Sequence, residues 1–209
     1  MAVNFQPSLL DDGSLFALSP ILPGEGRTLL SNDAWVEVHR DWVSGSDQLF
    51  ERLMETVPWK AERRRMYART LDVPRLVSFY DAEATLPDAA LDTLRRTLST
   101  HYQPELGEPF CTVGLCLYRD GRDSVAWHGD RIGRSRTEDT MVAIVSLGMP
   151  RRFLLRPRGG GRSRQFELGR GDLFIMGGSC QRTWEHSVPK VAHANGPRMS
   201  VQLRPIGVR

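Results

Sequence analysis

The sequence predicts an α+β fold in which a double-stranded β-helix (jelly roll) forms the core and two N-terminal helices pack on one of its sheets. Three observations carry that expectation. Helical periodicity occurs twice, after Ser46 and after Pro87. From Phe110 onward the pattern changes to short apolar runs broken by Gly, Pro and polar turns, the signature of many short strands wound into a double sheet. No repeat and no linker divides the chain, so 1–209 reads as one domain, with a lead-in at 1–45, helical support at 46–104 and a jelly-roll core at 110–205.

Taken in order, residues 1–33 mix turn formers with short apolar runs and make a loose lead-in. Trp35–Val43 is strand-like, with Val36 and Val38 on one face and Glu37 and His39 on the other. Ser46 is placed to cap a helix whose apolar stripe is Leu49, Phe50, Leu53, Met54 and Val57, stopping at Pro58. Residues 59–69 carry five cations with Trp59, Met66 and Tyr67 between them. Such a loop suits nucleic acid, since Arg meets phosphate while rings stack on bases; read alone, the stretch is better described as a wet helix or strand edge with one buried Trp. Val73–Tyr80 reads as a strand. Pro87 and Asp88 open a second helix with Leu91, Leu94, Leu98 and Tyr102 buried, expected to end before Pro104. The core strands are Val113–Tyr118, Val142–Leu147, Arg152–Leu155, Gln165–Leu168, Leu173–Met176 and Met199–Leu203, with a Gly-rich hairpin at 158–162.

Composition narrows the class. The net charge of +3 favours an anionic partner, but nearly all the cations are Arg, with only Lys60 and Lys190 as Lys. Cys111, Cys116 and Cys180 show no zinc-knuckle or disulfide spacing. Without a leader or an apolar span, the expectation is a monomeric protein of a reducing cytoplasm, with no membrane partner.

The chemistry concentrates in Trp127-His128-Gly129-Asp130 and in the chain downstream of it. His128 and Asp130, two residues apart, project from one extended segment toward a common point. His186, at the end of a later apolar run, returns after about four strands. Two imidazoles and one carboxylate form the facial set that holds Fe(II) and leaves three positions open, two for a keto acid and one for O2. Arg198 and Arg204 share a strand face with Ser200 and Gln202. A guanidinium there can grip a carboxylate bidentately, which favours a clamp for 2-oxoglutarate over a wet edge strand.

These residues resemble the AlkB family of Fe(II)- and 2-oxoglutarate-dependent dioxygenases. The resemblance runs from about Trp59 to Arg204. It rests on Val73-Pro74-Arg75, Tyr118-Arg119-Asp120-Gly121, Trp127 to Asp130, Val145 to Gly148, Gly171 to Gly178, Gln181, Trp184 to Lys190 and the final Arg-x5-Arg. It implies His128, Asp130 and His186 as iron ligands, and Arg198 on the distal carboxylate of 2-oxoglutarate, helped by Tyr118 and Ser200. Arg204 would lie near the chelating end. It implies oxidation of a methyl on a ring nitrogen of alkylated DNA or RNA, with O2 consumed and formaldehyde, succinate and CO2 released. The base would be flipped into a pocket, making 46–104 also a nucleotide-recognition region. Trp59, Tyr67 and Tyr80 are the candidates to stack on the base, and Arg75 to meet the backbone. Two departures stand out: Cys116 where the family often has Asn, and Arg131-Ile132-Gly133 where it commonly has acids. The alternatives are a 2-oxoglutarate-dependent hydroxylase of a protein or small molecule, and a noncatalytic jelly-roll binding module.

Overall fold

The computed structural model describes residues 15–66, 69–130 and 134–208, with the side chains of 62–72 left out. In chain order the strands are β1 (Ala17–Leu18), β2 (Arg27–Leu29), β3 (Ala34–His39), β4 (Val43–Ser44), β5 (Lys60–Met66), β6 (Arg69–Tyr80), β7 (Thr112–Tyr118), β8 (Val125–His128), β9 (Val142–Gly148), β10 (Arg151–Pro157), β11 (Arg164–Leu168), β12 (Asp172–Gly178), β13 (Trp184–Val188) and β14 (Arg198–Arg204). Three helices interrupt them: α1 (Ser46–Thr56), α2 (Ala89–Leu106) and the single turn α3 (Cys180–Thr183). Eight strands form a major sheet in the order β2-β3-β12-β9-β14-β7-β6-β5, and four form a minor sheet in the order β11-β10-β13-β8. All pairings are antiparallel. This is the expected jelly roll with helices on one sheet. Among the described residues no helix is long and apolar enough to cross a membrane.

The central strands of the major sheet are buried on both faces, and alternation along them sorts residues between two cores. Val113, Leu115, Leu117, Val145, Leu147, Met199, Val201 and Leu203 face the helices and join Leu49, Phe50 and Leu53 of α1 and Leu91, Leu94 and Leu98 of α2. Cys116, Tyr118, Ile144, Phe174 and Met176 face the minor sheet and meet Phe153, Leu155 and Trp184. The candidate functional side chains lie on this second layer's side of the major sheet.

The helix ends differ from expectation in two places. Gly45, in the left-handed region at φ 66°, precedes α1, so Ser46 is its first residue rather than its cap. Asp88 caps α2 by accepting from the Ala90 amide at 2.8 Å. This helix runs through Pro104 to Leu106 and stops at Gly107, φ 81°, whose N–H donates to the Gln103 carbonyl. Proline in the last turn removes one hydrogen bond that the fraying end can spare, and Tyr102 anchors that turn by donating to Glu37 Oε2 at 2.5 Å. Lys60–Met66 is an edge strand hairpinned to β6, the strand-edge alternative that the sequence offered for this stretch in place of a loop.

Phe50 is fully buried and lies where a side chain on Gly148 would fall, 2.9 Å from a hypothetical Cβ. Phe50→Ala therefore opens a cavity beneath the sheet. It should cost about 3–5 kcal/mol and lower the melting temperature by roughly 10 °C or more, read by differential scanning calorimetry.

Candidate metal and cosubstrate site

The two strands that carry the candidate imidazoles lie side by side in the minor sheet. β8 and β13 pair with His128 directly opposite His186, which puts both rings on one face with centroids 4.2 Å apart. Asp130 follows two residues later. One donor atom from each of His128, Asp130 and His186 lies within 4.8 Å of the others. Two nitrogens and one oxygen on one side, with nothing else in the set, is the donor group suited to Fe(II) with open positions. Neither β8 nor β13 stands out as a strand in the sequence, because each is only four or five residues long and mixes polar with apolar residues.

Several neighbours fix this geometry. A Cβ on Gly129 would come within 2.8 Å of the Gln181 carbonyl and 3.3 Å of that of Trp184, so glycine lets the ligand segment pack on α3 and β13. The Asp130 amide donates to Gln181 Oε1 at 2.9 Å, and the Ser135 hydroxyl donates to the Asp130 carbonyl. Arg204 Nε donates to Asp130 Oδ2 at 2.8 Å, engaging one carboxylate oxygen and leaving the other available. His128 Nδ1 lies 2.9 Å from the Ala126 carbonyl; with the proton there, Nε2 is the free donor. Phe153 stacks on His186, centroids 5.3 Å apart and planes 18° apart.

Protonation suits metal binding. Burial, then the positive fields of His128, Arg204 and Arg75, push His186 down to about 3 against the opposing pull of Asp130. Burial would raise Asp130, but Arg204, His186 and His128 outweigh it and hold the carboxyl at about 2. At neutral pH the set is therefore a neutral imidazole and a carboxylate, the forms that ligate.

Deeper in the cavity, β14 presents Arg198, Ser200, Gln202 and Arg204 on one face, opposite Tyr118, Cys116 and Gly114 of β7. Arg198 is only 1% exposed. Its Nη2 donates to Ser146 Oγ at 2.6 Å, its Nε has no partner, and its guanidinium stands 5.4 Å from the Tyr118 ring. Among the described residues no carboxylate pairs with it. A buried unpaired cation is costly, so an incoming carboxylate is its natural complement. Burial above all pushes Tyr118 up to about 12, keeping its hydroxyl a donor. From Ser200 a polar seam runs outward: Gln202 Nε2 donates to Ser200 Oγ at 2.7 Å and Arg204 Nη2 donates to Gln202 Oε1 at 3.3 Å. Cys116, where an Asn was expected, lies 3.9 Å by its sulfur from Gln202 Oε1.

The expected substrate contacts fare differently. Tyr80 belongs to the helix-side core and Trp59 packs against it, so both point away from the cavity; this corrects their reading as base-stacking groups. The reason is register: Tyr80 pairs Val113, a helix-facing residue, whereas Phe79 pairs Gly114 on the cavity face and is 47% exposed. Arg75 shares a strand face with Val77, which packs in the cavity-side core, and its Nη1 donates to the Ser124 carbonyl at 3.4 Å. It thus sits beside the site rather than out on a backbone track. Tyr67 lies outside the described residues. Gln181 and Phe79 were assigned no role from sequence, because nothing local marks either.

Comparisons with known proteins agree with this geometry. The 2OG-Fe(II) oxygenase superfamily matches residues 40–204. The chain is similar to alpha-ketoglutarate-dependent dioxygenase alkB homolog 3 of Homo sapiens, 29% identical over 96% of this chain and 73% of the relative. It is also similar to DNA oxidative demethylase ALKBH2 of Arabidopsis thaliana, 26% identical over 87% of this chain and 67% of the relative. The solved structure of OsALKBH1 shares the fold, with a TM-score of 0.59 and 12% identity over 81% of this chain and 97% of that one.

A pH dependence arises from His186. The unfolded imidazole takes its proton near 6.5 and the folded one only near 3, so the unfolded state binds more protons in that window and stability falls as pH drops through it. The slope is roughly 1.4 kcal/mol per pH unit for one such group. Asp130, lowered from 3.8 to about 2, adds loss only at more acid pH. The melting temperature of metal-free protein should decline from pH 7 to 4, and His186→Gln should flatten that decline. An equally steep profile in the variant would show that another group is responsible.

Proposed function

We infer the function from family membership: the chain belongs to the 2OG-Fe(II) oxygenase superfamily, and its relatives place it in the AlkB family. It is an Fe(II)- and 2-oxoglutarate-dependent dioxygenase that oxidatively demethylates N-alkylated nucleobases. The observation that carries this reading is the joining of a two-histidine, one-carboxylate cluster to an unneutralised buried guanidinium in one cavity. His128, Asp130 and His186 would hold the metal, and Arg198, Tyr118 and Ser200 the distal end of the cosubstrate.

With Fe(II), O2 and 2-oxoglutarate bound, such a centre oxidises an N-methyl group to a hydroxymethyl that leaves as formaldehyde, while 2-oxoglutarate becomes succinate and CO2. The protein's part is placement. Arg204 and Gln181 hold Asp130 by its carboxylate and its amide. Phe153 keeps His186 from rotating and shields it from water. Arg198 would orient the keto acid so that its chelating end faces a metal held by His128, Asp130 and His186.

We assign the substrate to a nucleic acid strand, DNA or RNA. Beside His128, Trp127 lies under the Arg156 guanidinium at 4.1 Å, and the β10–β11 hairpin carries exposed Arg158, Arg162 and Arg164. A ring with cations around it suits bases and phosphates.

Incubation with methylated DNA and RNA oligonucleotides, Fe(II) and 2-oxoglutarate should release formaldehyde and restore the base mass. His128→Ala should abolish both without unfolding the protein. Arg198→Ala should raise the 2-oxoglutarate requirement by roughly thirtyfold or more. Turnover of 2-oxoglutarate with a protein or small-molecule acceptor, and none with nucleic acid, would replace this reading by a hydroxylase of another class.

A further inference from the structure

A second buried guanidinium faces the same end of the cavity as Arg198. Arg151 opens β10 and alternates inward with Phe153 and Leu155, both in the cavity-side core. It is 4% exposed, and its guanidinium lies 5.9 Å from the Tyr118 ring, against 5.4 Å for Arg198. Its Nη1 donates to the Asp120 carbonyl at 2.9 Å, and its Nη2 to the carbonyls of Asp123 at 3.0 Å and Pro189 at 2.9 Å. These acceptors are dipoles without full charge, and Nε has no partner. The Asp123 carboxylate is committed to Arg119 through two hydrogen bonds. Among the described residues neither Arg151 nor Arg198 has an ion pair.

Two buried cations thus stand around one tyrosine ring; their nearest partners are Ser146 and backbone carbonyls, and the Asp120 and Asp123 carboxylates act on Arg151 only through space. Burial lowers the proton affinity of both, and the charge of Arg151 lowers that of Arg198 further. Folding tolerates such crowding where an anion completes the pocket. The three carbonyls hold Arg151 rigidly, so its field needs no reorganisation when a ligand arrives.

We propose that Arg151 is a second cationic determinant of the cosubstrate pocket, selecting a keto acid with a distal carboxylate over one without. Arg198 grips that carboxylate and Arg151 deepens the positive potential around it. The proposal rests on the reading of Arg198 as the clamp.

The test is calorimetric titration of Mn(II)-loaded protein with 2-oxoglutarate and with 2-oxopentanoate, which keeps the chelating end and carries a methyl in place of the distal carboxylate. Arg151→Gln and Arg151→Met should each weaken 2-oxoglutarate by roughly ten- to thirtyfold, as loss of one charge at short range implies, and leave 2-oxopentanoate unchanged. Arg151→Lys, which keeps the charge and loses the fork, should restore most of the affinity. Equal weakening of both ligands, or no weakening, would overturn the proposal in favour of a loop staple. So would failure of both uncharged variants to fold, since a group that supplies field is not required by the fold. Arg198→Met run alongside separates the two claims: unchanged 2-oxoglutarate binding there sinks the clamp itself.

Discussion

Asp130 and Arg204 meet at 2.8 Å across the gap between the two sheets, with side chains 8% and 12% exposed. The rest of the site depends on that contact. Asp130 stands just past the end of β8, outside any ladder of backbone hydrogen bonds, so its side chain must be held from elsewhere. Arg204, at the end of the last strand of the major sheet, does this. A buried ion pair is weak support for stability, because desolvation offsets most of the attraction. Its value here is positional: one carboxylate oxygen is engaged, and Arg204 helps keep the Asp130 carboxyl ionised at neutral pH. Gln181 completes the hold through the backbone amide.

From this pair inward the cavity is electrically polarised. At its metal end, one carboxylate, one guanidinium and two imidazoles leave little net charge. At its far end, Arg198 and Arg151 stand beside Tyr118, and among the described residues neither forms an ion pair with a carboxylate. The seam of Ser200, Gln202 and Arg204 joins the two ends. A short dianion whose one end chelates a metal and whose other end is a carboxylate matches that distribution along its length. Phe153, Leu155 and Trp184 keep the surroundings dry, which strengthens each of these interactions relative to water.

Much of this was legible in residue order. The alternation of Met199, Val201 and Leu203 with Arg198, Ser200, Gln202 and Arg204 announces a strand with one apolar and one polar face, and the structure places the polar face in the cavity. The helices were visible because their apolar residues recur at helical spacing. The strands β8 and β13 were not, because four or five residues with a histidine among them carry no clear period. Arg151 was unreadable as a cavity residue: it lies in an Arg-rich stretch where composition and buried function look the same.

Residue types and spacing by themselves determined the chemistry: His128, Asp130, His186, Arg198 and Arg204 have few other uses in that order. Only the tertiary structure decided which way neighbours point. Tyr80 turned to the helices and Phe79 to the opposite, half-exposed face, although the two aromatics look alike in the sequence. The difficulty is greater on the central strands of the major sheet, where both faces are buried. Where one face is wet, period-2 alternation shows which residue is inside; where both are covered, a strand reads as apolar throughout and its register is set by partners distant in the chain.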